Sequence, residues 1–140
     1  TGNLGFVGVE TQKLLEENIT PVIAPLTCDE MGNLLNVNAD TVAQTLAQAL
    51  SEFYDTTLIY CFEKNGLLLD VNDNASVLPE INRSEAEALK ANGIISKGML
   101  PKIDNAFNAV SSGVQSVVIG HASFIKQMAL KETGYGTHIK

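Results

Sequence analysis

The chain has 140 residues, 45% of them hydrophobic, with 16 acidic side chains against 9 basic ones and a formal charge of −7. This length supports one domain with a real core, and the acidic balance excludes a nucleic-acid footprint, which needs clustered Lys and Arg. The longest apolar runs are too short to span a membrane. With no signal peptide visible and no C-x-x-C pair, Cys28 and Cys61 read as reduced core thiols of a cytoplasmic protein.

In chain order, "GNLGFVG" carries Gly2, Gly5 and Gly8 but no following G-K-[ST], so it is not a Walker loop and hairpin turns are its expected use. "TPVIAPL" (20–26), bounded by prolines, predicts a buried strand, and "MGNLLNVN" (31–38) a turn followed by a second extended piece. From Asp40 an amphipathic helix is expected, with Val42, Leu46, Leu50 and Phe53 on its apolar face and Gln44 and Gln48 opposite. "TTLIYCF" (56–62) reads as a buried strand ending at "EKNG". "DVNDNAS" (70–76) starts like a calcium loop, but Ala75 replaces the turn glycine and Ile81 occupies the bidentate glutamate position, so it reads as a solvated loop. A short helix is expected over 84–92, with Ser84 as N-cap and Gly93 as its stop. Another covers 98–113, with Pro101 in its first turn and an apolar stripe of Met99, Ile103, Phe107 and Val110. A strand (115–120), a helix (123–131) and a terminal strand in "GTHIK" complete the chain. Strands alternating with helices imply an α/β fold: three αβα layers around a mainly parallel open sheet. His121 and His138 have no partners at metal-ligand spacing, so no protein-held metal is expected.

Two segments carry candidate chemistry. Asn36, Asn38 and Asp40 step by two in front of a helix, which points all three one way while the chain is extended. Capping accounts well for Asn38 or Asp40 and poorly for Asn36. In "GIISKGMLPK" (93–102), Ser96, Lys97, Gly98 and Lys102 surround a helix start. Such an end attracts anions and disfavours a cation in its first turn. Lys102 there either snorkels to solvent or shares a bound anion with the helix end.

The segments "GFVG…LLEENITPVIAPL", "NVNADTVA", "ISKGMLPK" and "GTHIK" resemble the C-terminal part of the acetylglutamate kinases, of the amino acid kinase family, in order and spacing along essentially the whole chain. The resemblance implies the carbamate kinase-like fold, with the N-terminal half upstream of Thr1. It implies transfer of the ATP γ-phosphoryl group to the side-chain carboxylate of N-acetylglutamate, or another N-acylglutamate, in arginine biosynthesis. By position, Lys102 would stabilise the transferred phosphoryl group and Asp40 would organise that lysine. Asn36 would bind the amino-acid substrate, with Asn38 beside it. ATP would contact Glu63, Lys64, Asn65, Gly66, Leu67 and Leu68, then Ile94, Ile95 and Ser96, with Gly98 and Met99 adjoining. Mg²⁺ would arrive with ATP, held mainly by phosphates. A homo-oligomer is implied, and the 140 residues alone are expected to be inactive. The family's T/S-D-V-x-G stretch is Phe62-Glu63-Lys64-Asn65-Gly66 here. That departure motivates a non-catalytic nucleotide-binding regulatory module as an alternative; a family member with another acceptor is a second, which the N-terminal half would discriminate.

Overall fold

The computed structural model describes residues 4–95 and 98–140. It begins with a helix, α1 (Leu4–Glu16), where hairpin turns were expected. Glycine costs a helix interior about 1 kcal/mol, but Gly8 lies against the next helix, where a Cβ would sit 3.1 Å from that of Ala49. Close packing outweighs the local penalty.

The buried strand expected over 20–26 does not form. Residues 20–25 are irregular, Val22 is 96% exposed, and pairing starts only at Leu26. Pro21 and Pro25 donate no ladder bonds. β1 (Leu26–Cys28) and β2 (Leu34–Asn36) form an antiparallel hairpin, turned by Gly32 at φ 83°. Asp29 steadies the turn by accepting from the backbone N–H groups of Met31 and Asn33.

Helix α2 (Ala39–Leu50) follows with Asn38 as its N-cap. Its buried side is lined by alanines rather than the larger residues: Ala47 lies in the core and Ala49 against α1. Val42 and Leu46 are half-buried beside Pro21, Ile23 and Pro25, while Phe53 lies past the helix end, exposed.

The remaining elements are β3 (Thr57–Phe62), β4 (Glu80–Ile81), α3 (Arg83–Ala91), α4 (Leu100–Ser111), β5 (Ser116–His121), α5 (Ile125–Ala129, after one 3₁₀ turn) and β6 (Thr137–Ile139). The sheet order is β3-β5-β6-β4. β3 runs parallel to β5, with Thr57 opposite Ser116 and Phe62 opposite His121; β4 and β6 are parallel, and β5 and β6 antiparallel. The three-layer α/β architecture therefore stands, with one antiparallel pairing within it.

Alternation along β5 divides the core between the two faces. Val117 and Ile119 pack with Leu58, Tyr60, Ile81, Ile103 and Phe107 under α2 and α4. The other face meets α5, whose Met128 is fully buried. A Cβ at Gly120 would come within 2.6 Å of the Met128 Sδ, so only glycine fits that thioether. Among the described residues no helix is long and apolar enough to cross a membrane.

Three further expectations change. Both cysteines are exposed free thiols rather than core residues: Cys61 points opposite to buried Tyr60 on β3, and Cys28 lies on the hairpin. The N-cap of α3 is Asn82, not Ser84, because Glu85 three residues on closes a capping box with it. The last helix is shorter than 123–131 and ends where Lys131 turns to φ 56°. Loop 70–76 is exposed, and Asp70 and Asp73 accept from backbone N–H groups two residues on. The carboxylates make turns.

Candidate active site

Asp40, in the first turn of α2, and Lys102, in the first turn of α4, are 62 residues apart in sequence and meet with Nζ 2.7 Å from Oδ1. The Lys102 side chain keeps 14% of its accessible surface and that of Asp40 30%, so the pair sits at a half-buried boundary. The lysine therefore does not simply snorkel to solvent. Below it lies Tyr60 of β3, its ring centroid 4.9 Å from Nζ, within cation–π range. The Tyr60 hydroxyl donates to the backbone carbonyl of Asp40 at 3.1 Å. Burial first, and the Asp40 charge second, push this phenol well above its ordinary pKa, so it stays a donor.

Asn38 does cap α2: its Oδ1 accepts from the N–H groups of Asp40 (2.9 Å) and Thr41 (3.2 Å). That engages the side-chain oxygen and leaves the amide N–H₂ as the group it can offer elsewhere. Asn36 ends β2, exposed, two residues upstream. It takes no part in that cap, so capping leaves it unexplained.

The helix ends differ in chemistry. α2 and α3 are capped by asparagine side chains and carry an acid in the first turn. α4 starts at Met99 with no side-chain cap, no acid, and Pro101 and Lys102 in its first turn. The positive end of its dipole thus lies beside a fixed ammonium, an arrangement suited to an anion.

Beside this end lies an open cleft at the C-terminal end of β3. Of the residues named from sequence, Glu63, Lys64, Gly66, Leu67, Leu68, Ile94, Ile95 and Met99 line it, together with Phe62 and Val71. Asn65 faces a different cavity, beside Phe124 and Tyr135. Gly98 is exposed, with nothing within 4 Å of a would-be Cβ, and Ser96 and Lys97 lie outside the described residues.

Gly66 has a structural reason to be glycine: a Cβ there would meet the Thr137 Oγ1 at 2.7 Å and Val77 Cγ1 at 2.8 Å. Thr137, fully buried on β6, accepts from the Leu67 N–H (2.8 Å) and donates to the Leu78 carbonyl (2.6 Å). One hydroxyl thus pins the loop that forms the cleft. Sequence reasoning marked Phe62 only as a departure in the nucleotide loop, and it missed Tyr60, Val71 and Thr137. Alternation on β3 put Tyr60 and Phe62 on one face, which was a usable signal; nothing local marked Thr137.

The model of the amino acid kinase family matches residues 9–121. The chain belongs to this family. Among curated relatives in the family, the acetylglutamate kinase of Bacteroides thetaiotaomicron is 51% identical across 97% of the chain and 53% of its own length. That of Cytophaga hutchinsonii is 46% identical across 96% and 54%. The chain thus spans about half the length of these curated relatives. Among solved structures, smu.665 from Streptococcus mutans superposes with a TM-score of 0.72 at 30% identity, covering 94% of this chain and 47% of that one. A carbamate kinase from Giardia reaches 0.71 at 20% identity, covering 96% and 47%, and shares the fold.

Proposed function

We propose that this chain is the nucleotide-binding part of an acetylglutamate kinase, a cytoplasmic enzyme that transfers the γ-phosphoryl group of ATP to the side-chain carboxylate of N-acetylglutamate in arginine biosynthesis. The relatives about half identical along nearly the whole chain support the substrate class. The observation that carries the chemistry is the Lys102–Asp40 pair at the uncapped start of α4.

ATP lies along the cleft of Phe62, Leu67, Ile95 and Met99, whose apolar walls suit a purine, with its phosphates directed toward the α4 N-terminus. Transfer spreads negative charge over the oxygens of the moving phosphoryl group, and Lys102 meets that charge. Asp40 holds the ammonium in place, so little reorganisation is needed at the moment of transfer. Asn36 and the Asn38 amide donate to the acceptor. Mg²⁺ arrives with the nucleotide and is held mainly by its phosphates. The rest of the polypeptide supplies the remaining acceptor contacts and covers the apolar surface left open at Val22, Met31 and Leu34. The enzyme is a homo-oligomer.

The test is acyl-phosphate formation by the complete polypeptide, trapped with hydroxylamine, using Mg-ATP and a panel of N-acetylglutamate, N-succinylglutamate, glutamate and aspartate. Turnover should be confined to an acylated glutamate and fall about 10²- to 10³-fold in Lys102→Ala. Asn38→Ser keeps a capping oxygen but lacks the amide donor, so it should melt like wild type and raise KM for the acceptor. Equal turnover with free glutamate, or an unaffected Lys102→Ala, would refute the reading.

A further inference from the structure

We propose that Tyr60 is the positioning residue for the Lys102–Asp40 pair, its ring carrying the ammonium and its hydroxyl holding the backbone of Asp40. The inference rests on the kinase reading and adds a residue to it.

A lysine reaches its partner through four flexible methylenes, and a single bond to one carboxylate oxygen leaves the ammonium free to swing. The ring 4.9 Å beneath Nζ removes much of that freedom, and its π-face favours a cation there. Tyr60 is itself immobile: it is 3% exposed, on a strand paired in register with β5 opposite Ile119. Its hydroxyl reaches α2 at the residue that carries the pairing carboxylate. Three elements, α2, β3 and α4, are thereby tied at one point. A purely packing role would be met by Phe or Leu, without a buried hydroxyl that needs a partner.

The test uses the complete polypeptide with Tyr60→Leu and Tyr60→Phe. Tyr60→Leu loses ring and hydroxyl, and kcat should fall about tenfold while KM for both substrates stays within about twofold. Tyr60→Phe keeps the ring and should lose about threefold. In a Lys102→Ala background, Tyr60→Leu should change kcat by less than about twofold, because the group it positions is gone. Acetylation of Lys102 by acetic anhydride, measured by mass spectrometry against exposed Lys126, should be several-fold faster in Tyr60→Leu.

Equal losses in both backgrounds, or unchanged Lys102 labelling, would reduce Tyr60 to a core residue. Should Tyr60→Leu not fold, wild-type kcat in Tyr60→Phe would still overturn the role of the hydroxyl. Wild type that makes no acyl phosphate would sink the kinase reading alone, since Lys102 labelling would still judge Tyr60.

Discussion

Lys102 shows how one side chain is held by groups of different kinds. A carboxylate supplies charge at 2.7 Å, an aromatic face supplies a surface, and a helix end supplies a field. Two separate groups, Tyr60 beside this pair and Lys90 on α3, set a pH response. Tyr60 is held above its ordinary 10.0 by burial and then by the Asp40 charge. Lys90 is held above 10.5 by its bonds to Asp104 and Glu87. Both folded-state values are raised, so their contributions to stability are intact below the ordinary values and fade as pH rises toward and through the folded ones. The melting temperature should therefore be insensitive to these two groups below about pH 9 and should fall above about pH 10. In Tyr60→Phe that alkaline fall should be shallower. An identical slope would show that Tyr60 ionises freely in the folded protein.

At the scale of the element, the cleft depends on a loop that has almost no secondary structure of its own. Residues 63–68 are placed by the bond from the Leu67 N–H to Thr137 and by the tight contact at Gly66. Thr137→Val removes the hydroxyl at similar size and leaves a buried N–H and a half-buried carbonyl short of a partner. The expected cost is about 2–4 kcal/mol, read from urea unfolding. KM for Mg-ATP should rise more than kcat falls, because the cleft wall loosens while Lys102 stays fixed. Unfolding at the wild-type midpoint would show that β6 does not support the loop.

For the whole molecule, the balance between core and open surface is uneven. The sheet and its helices bury Ile81, Ile103, Val117 and Ile119 almost completely, whereas Val22, Met31 and Leu34 are 96%, 84% and 78% exposed. β3 is also an edge strand. Apolar surface and open edges of this kind favour association. The 140-residue segment, about half the length of its curated relatives, is expected when produced alone to self-associate in sedimentation and, on the proposed reading, to make no acyl phosphate. A monodisperse monomer with full activity would contradict both halves of that expectation.

Period and punctuation in the sequence determined most of the elements. The runs at 56–62 and 115–120, the helix stripe of Met99, Ile103 and Phe107, and the stops at Gly93 and Gly113 are local signals, and the elements appear within a residue or two of where local rules put them. The N-x-N-A-D segment and Lys102 were legible as candidates, because a cation at a helix start and asparagines before one are local departures from propensity. What local rules could not decide was pairing. Whether Lys102 meets Asp40 or water depends on α2 packing on α4. Gly8 sits within α1 because a neighbouring alanine comes close, and 20–25 is no strand because no described strand pairs with it. Tyr60 and Thr137 owe their roles to partners 20 and 70 residues away in the chain. Burial and long-range hydrogen bonding belong to the assembled layers, and only the tertiary structure contains them.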